Sequence, residues 1–294
     1  MTYNVYRRPQ GADAWSLIAE GVEPPYEDGS AQEGETYEYT IARVVEGVER
    51  EKGHVTAGSL WLPTLLSGLQ LWLRGDGTGM YTDQSGTDPS SENDEVERWE
   101  DQSGQGNDFI TPGYSESPFL RNNGIDFDGD DDYMHEETKA LGLTSAFTLG
   151  IRVGPEDETT LNPIFARWNE GENRRSFDLR LNADAVELRL SFDGLAETVV
   201  ASGAGVIDAN VYQTVVARYD GAASTASVYV GGAEVASTAS APSSLINVDH
   251  PVELARSMEG GVWSYFNGDW AKAVFYNRAL TDAERSNVEN YLEA

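Results

Sequence analysis

Residues 71–77, LWLRGDG, residues 99–109, WEDQSGQGNDF, and residues 124–133, GIDFDGDDDY, decide how the rest of this chain is read. An apolar strand-like run enters the stretch, and a turn dense in Gly, Asp and Asn sits in its middle. The alternating Ile125 and Phe127 then lead into acidic residues around Gly129. Two readings stand side by side. Gly permits positive φ, and Asn and Asp bond their own backbone, so the stretch is turn chemistry between strands. Alternatively, Asp101, Asn107, Asp108, Asp126, Asp128, Asp130, Asp131 and Asp132 offer the hard oxygens that calcium or magnesium takes. The ligand set expected on that second reading is Asp101, Asn107, Asp108, Asp128 and Asp130, holding a structural ion. No EF-hand register is present to choose between the two.

Outward from this stretch, short alternating runs recur with turn signals between them, the pattern of an antiparallel sandwich. They include FTLGIRV at 147–153, SFDLRL at 176–181, VELRLSF at 186–192, YQTVVARY at 212–219, ASVYV at 226–230 and DWAKAVFY at 269–276. In SFDLRL the alternation predicts Phe177, Leu179 and Leu181 on a buried face, with Asp178 and Arg180 in water. The period changes at the end of the chain. Thr281 and Glu284 form a T-x-x-E capping box, followed by Ala283, Val288, Tyr291 and Leu292 at helical spacing, which predicts one short C-terminal helix.

The charge balance excludes some functions. Fifty acidic residues face 20 basic ones, for a net charge of −30. A phosphate backbone calls for a basic stripe, so neither nucleic acid nor an anionic membrane surface is an expected partner. Only Lys52, Lys139 and Lys272 are lysines, and the other 17 basic residues are arginine. That balance suits a protein kept soluble in molar salt, where the Debye length shrinks to ~3 Å and self-repulsion is screened. An ordinary acidic protein depleted in lysine by chance is the alternative. There are no cysteines, hence no disulfide and no thiolate chemistry. The first residues carry no apolar leader, and no run is long enough to span a membrane.

The N-terminal segment has its own character. YNVYRR at 3–8 pairs across a GAD turn with Trp15, Leu17 and Ile18, and ETYEYTIARVVEG at 35–47 supplies a further strand. Glu51 to Thr56 adds a final run, and Pro24 and Pro25 exclude helix from the linker between the hairpin and the third strand. This segment resembles the C-terminal half of a fibronectin type III domain. The implied organisation is a partial fibronectin III-like β domain at 1–57, a linker at 58–70 and a second domain at 71–294. A half-sandwich leaves an apolar face and an open edge, to be covered by the second domain of the same chain, by another copy of the chain or by a neighbouring structural protein.

LQLWLRGDG at 69–77, W-x-D-Q-S-G-x-G-N-D at 99–108 with the acidic run that follows, and YFNGDWAKAVFYNRALTDAE at 265–284 together resemble the laminin-G-like, concanavalin-A-like jelly-roll family. The resemblance implies an all-β, antiparallel jelly roll with a glycan- or protein-binding role, often beside a bound calcium. For a glycan site the polar-flanked aromatics are Trp168 with Arg174, and Trp263 with Tyr265. Each also reads as ordinary packing.

Enzymatic signals are absent from the sequence. The E-x-D-x-E strand motif of the β-glucanase branch does not occur, and ENDEVE at 92–97 lacks strand alternation. His54, His135 and His250 have no second histidine at metal-binding spacing. Arg74-Gly75-Asp76 reads as a strand-ending turn. The expectation is a non-enzymatic structural component of a virion of a halophilic tailed virus, a spike, turret or head decoration exposed at the particle surface and binding host glycan or protein. A cellular carbohydrate-binding or adhesion protein at the cell surface is the alternative, and a divergent glycoside hydrolase the second.

Overall fold

The computed structural model describes residues 2–9, 14–22, 37–45, 48–55, 62–121, 124–137, 141, 145–157 and 161–294. The proline-containing linker at 23–30 and residues 58–61 of the expected interdomain linker lie outside them. The chain divides into two compact units, Met1–Leu62 and Pro63–Ala294.

The first unit is a four-stranded antiparallel sheet. Its strands Thr2–Pro9, Ser16–Val22, Tyr37–Val45 and Val48–Val55 lie in the order second, first, third, fourth. Tyr3 pairs with Val22 and Arg7 with Ser16, so the predicted hairpin is present. Asn4 is buried and accepts a hydrogen bond from the Gly21 amide at 2.9 Å, which fixes the irregular end of that pairing.

The second unit is an all-β jelly-roll sandwich of an eight-stranded and an eleven-stranded sheet, closed by one helix, Asp282–Glu293. In the eight-stranded sheet Asn267–Tyr276 is flanked on one side by Ala146–Pro155. Its other side is shared end to end: Leu69–Arg74 pairs with its second half and Gly124–Asp128 with its first. The eleven-stranded sheet centres on Leu161–Asn169 and Arg174–Asn182, with Ala185–Leu190 and Glu253–Leu254 beside them. The rings of Phe147 and Phe275 from one sheet and Phe165 and Phe177 from the other meet between the layers, at centroid separations of 5.4 to 6.4 Å. All four are fully buried. They are the centre of the core.

The helix starts where its capping box predicts. Thr281 Oγ1 accepts from the Glu284 amide, while the Glu284 carboxylate accepts from the Thr281 amide and from both ends of the Arg278 guanidinium. These bonds, those from Arg278 above all, keep the Glu284 carboxyl down at about 2 against a smaller upward push from burial. The helix seats on Gly150, where an added Cβ would meet Val288 at 2.9 Å and Leu292 at 3.0 Å. Trp72 Nε1 donates to the Tyr291 hydroxyl at 2.6 Å and ties the helix to the strand Leu69–Arg74. Among the described residues no helix is long and apolar enough to cross a membrane.

One expectation is corrected. Phe177, Leu179 and Leu181 enter the core as the alternation predicts, but Asp178 and Arg180 are buried too. The hairpin of Arg256–Glu259 and Val262–Tyr265 folds against that face, and its Met258 bridges to Asn169. Glu259 accepts from Arg180 at 2.6 Å and stands 3.4 Å from Arg189. Asp178 lies 3.9 Å from Arg180 and 3.8 Å from Arg189, its oxygens without hydrogen bonds to protein donors. Burial pushes its carboxyl up to about 6 against the pull of the two guanidinium groups.

Candidate functional site

The acidic residues grouped by sequence separate into two sets with different tasks. In the 99–109 turn, Asp101 Oδ1 accepts from the amides of Trp72 (2.9 Å) and Ser103 (2.8 Å), and Oδ2 accepts from Ser103 Oγ (2.6 Å) and the Asn107 amide (3.1 Å). Asn107 Nδ2 donates to the Gln70 carbonyl at 2.7 Å. Asp108 accepts from the Asp101 amide with one oxygen and pairs with Arg98 through the other. These three residues staple the turn to the strand Leu69–Arg74. The carboxylate oxygens of Asp101 and Asp108 are engaged by protein donors, which is the turn reading of this segment.

The second set surrounds Gly129. Gly129 has φ +78°, and a Cβ there would meet Asn267 at 2.6 Å, so the loop is pressed onto the start of the strand Asn267–Tyr276. Asp128 Oδ1 accepts from the amides of Asp130 (2.8 Å) and Asp131 (3.3 Å), and the Asp128 amide donates to Asp132 Oδ2 at 3.1 Å. This Asx turn gathers Asp128, Asp131 and Asp132 so that one oxygen from each lies within 4.8 Å of the others. Oxygens bound to one calcium at 2.3–2.6 Å are separated by at most about twice that distance, so this donor set fits one hard cation. Asp132 is only 5% exposed. Its burial, together with Asp128, Asp131 and Asp126, pushes its carboxyl up to about 7, against the hydrogen bond from the Asp128 amide. Burial and the charges of Asp128, Glu116 and Asp130 also raise Asp131. Asp130 gives its amide to the turn, and its own carboxylate stays outside the trio.

The same loop ends in Tyr133, which enters an aromatic cluster. The Arg256 guanidinium sits 3.3 Å from the Tyr133 ring centre and 4.0 Å from that of Trp263. Tyr265 and His135 stand 6.3 Å from Tyr133. Tyr133, Trp263, Tyr265 and Arg256 are all partly exposed. Arg256 is held from below by Glu253, itself buried and 3.4 Å from His250 Nε2. Arg256 lies against both the Tyr133 and the Trp263 ring. Such rings stack on the apolar faces of flat or cyclic partners, while the guanidinium adds donors at their edge.

A family model described as the concanavalin A-like lectin/glucanases superfamily matches residues 128–284. The chain belongs to this concanavalin A-like superfamily. The matched span opens on Asp128 and contains the acidic trio, Tyr133, Arg256, Trp263 and Tyr265. No curated protein matches the chain. Among solved structures it is similar to the binding domain of botulinum neurotoxin serotype G, with a TM-score of 0.52 and 12% identity over 77% of this chain and 51% of that one. It is similar to the binding domain of Paraclostridial Mosquitocidal Protein 1 at TM-score 0.50 and 12% identity, over 76% of this chain and 52% of that one. A third likeness is to the Ruminococcus gnavus IT-sialidase CBM40 bound to α2,3-sialyllactose, at TM-score 0.45 and 20% identity over 55% of this chain and 93% of that one. The chain spans about half the length of the two toxin domains. At these identities the two toxin-domain likenesses speak to the fold alone.

Within this fold the expected glycan residues part company. Trp263 and Tyr265 lie in the aromatic cluster. Trp168 does not: it is 0% exposed, and the Arg189 guanidinium lies 4.4 Å from its ring centre, so no sugar reaches it. Its position in a bulged, covered part of the strand Leu161–Asn169 makes it a packing residue. Arg174 opens the strand Arg174–Asn182 and pairs with Glu172 at 2.9 Å. Tyr133 and Arg256 are the residues that sequence reasoning missed. The signal was Gly260-Gly261, a two-residue turn between the runs RSME and VWSY, which announces a hairpin with Arg256 and Tyr265 opposite each other.

Proposed function

We propose that this protein is a non-enzymatic glycan-binding module whose ligand site is the rim formed by the 128–133 loop and the 256–265 hairpin. The observation that carries the reading is the partly exposed cluster of Tyr133, Trp263 and Tyr265 around Arg256, continuous through the chain with the acidic trio. The rings supply stacking surface for a sugar. Arg256 supplies donors for its hydroxyls. Asp128, Asp131 and Asp132 would hold calcium, which orders the loop and offers further coordination to hydroxyl oxygens. The biological setting we propose is the surface of a virion from a salt-rich environment, with the N-terminal sheet joining another copy or a neighbouring particle protein. The acidic, lysine-poor composition and the separate N-terminal unit support that setting.

The test is a glycan array probed with the full chain in calcium and in chelator, alongside Trp263→Ala and Tyr265→Ala. Binding that needs calcium and is lost in both variants is the expected result. An array with no binding in either condition, or binding indifferent to both substitutions, removes this site. Mass spectrometry of purified virions tests the setting separately, and absence of the protein from particles overturns it.

A further inference from the structure

The outer face of the eight-stranded sheet carries a row of three cations, of which one is paired with a carboxylate. Arg152 lies directly opposite Lys272, and Lys272 directly opposite Arg74, on three neighbouring strands. Ile151, Val153 and Ala273, which alternate with them, belong to the core, so the three charges stand abreast on the outer side. Like charges directly opposite destabilise a sheet. A chain with 50 acidic residues has carboxylates in excess to prevent this. Arg74 takes one, Asp76 at 2.5 Å. Among the described residues, Arg152 and Lys272 make no ion pair with a carboxylate: Arg152 donates to the Thr214 hydroxyl and Lys272 to the Tyr291 carbonyl, each at 3.2 Å. Arg167, likewise without a carboxylate, is buried and donates to backbone carbonyls. Among the described residues of this unit, Arg152 and Lys272 are thus the partly exposed cations without a carboxylate partner.

Both stand in the wall of a cleft of about 280 Å³, bounded also by Tyr212, Ala271, Leu292, Glu293 and Ala294. Burial and the charges of Arg152 and Arg74 make Lys272 hold its proton less firmly than usual, with Asp76 opposing. The Arg152 guanidinium is 5.9 Å from the Tyr212 ring centre. Glu293 lines the cleft, and the buried Tyr212 hydroxyl at its wall makes no hydrogen bond.

We infer that this cleft binds a carboxylate-bearing monosaccharide unit, such as a uronic acid. Two unneutralised cations side by side call for one shared anionic group. Tyr212 and Ala271, both partly exposed, give the cleft an apolar side for a ring. The volume lies just under the ~300–1,000 Å³ of drug-sized pockets, which suits one sugar residue. An acidic protein segment is the competing occupant, disfavoured by the small cleft. The site is on the other sheet from the aromatic cluster and does not depend on it.

Isothermal titration of the full chain with sodium glucuronate tests this, with glucose, sodium phosphate and an oligoglutamate at matched ionic strength. Saturable glucuronate binding, none for glucose, and a loss of about tenfold or more in Arg152→Gln and in Lys272→Gln are expected. Both substitutions relieve repulsion, so both variants keep at least the wild-type melting temperature. Trp263→Ala leaves glucuronate binding unchanged and so separates this site from the proposed rim. Absence of saturable glucuronate binding, or an affinity that neither Gln substitution alters, overturns the inference. Phosphate bound as tightly as glucuronate means an adventitious ion only. Tighter binding of oligoglutamate replaces the sugar with a protein partner.

Discussion

Asp132→Asn isolates the electrostatics of the acidic loop. In the folded chain the Asp132 carboxyl is raised from an ordinary 3.8 to about 7, chiefly by burial and then by its acidic neighbours. Between those values the folded state keeps a proton that the unfolded state releases. Stability contributed at this position is therefore present below about pH 4, declines as pH rises, and is lost above about pH 7. Each tenfold change in proton affinity is worth about 1.4 kcal/mol, so the full penalty is about 4 kcal/mol. Asparagine keeps an oxygen for the Asp128 amide and carries no charge. In chelator the variant is expected to match wild type near pH 4 and to exceed it by up to about 4 kcal/mol at about pH 8. Urea unfolding of both proteins across that pH range measures the gap, and taking the difference cancels the titrating groups that are not coupled to Asp132. Calcium is expected to narrow the gap, because wild type gains about 2.7 kcal/mol at a hundredfold excess over its dissociation constant while the neutral variant gains less. A gap that stays constant from pH 4 to 8 refutes the raised carboxyl. Equal calcium stabilisation of both proteins refutes the cation trio.

Other outcomes follow from packing and charge. Trp168→Ala is expected to cost about 3–5 kcal/mol, as is Phe165→Ala at the centre of the core, both read by chemical denaturation. Trp263→Ala costs far less, because its ring is partly exposed; equal costs at Trp168 and Trp263 contradict their assigned roles. Thr281→Ala removes the helix cap and is expected to lower stability by about 1 kcal/mol, with no effect on glycan binding. For a chain of net charge −30, the thermal midpoint is expected to rise from dilute buffer to molar KCl, where screening falls to ~3 Å. A midpoint indifferent to salt removes the halophilic reading.

Local chemistry was legible in the sequence, and long-range cover was not. The capping box at Thr281 and Glu284 involves neighbours in the chain, and it forms as read. The alternation of Phe177, Leu179 and Leu181 located one core face, since period 2 is a property of the strand itself. What lies over the other face is decided by a hairpin some 80 residues away, and Asp178 looks the same in sequence whether water or Glu259 covers its strand. The acidic residues posed the same difficulty. Asp101 and Asp128 occupy similar Gly-rich surroundings, but only the fold shows that four protein donors reach Asp101 while Asp128 is drawn together with Asp131 and Asp132. Trp168 was misread because a tryptophan beside arginines is equally a platform and a buried ring beneath a guanidinium.

The strand Asn267–Tyr276 serves as the shared edge for Leu69–Arg74 and Gly124–Asp128, and its Asn267 is the surface against which the Gly129 turn is pressed. During synthesis the two earlier strands leave the ribosome long before their common neighbour exists. Their pairing groups wait unmatched, and this unit closes only after its last strand has emerged. Contacts between segments so far apart in the chain also make for slow folding. The acidic loop consequently acquires its folded geometry at the end of folding, so an incomplete chain exposes these carboxylates before Asp128, Asp131 and Asp132 are gathered.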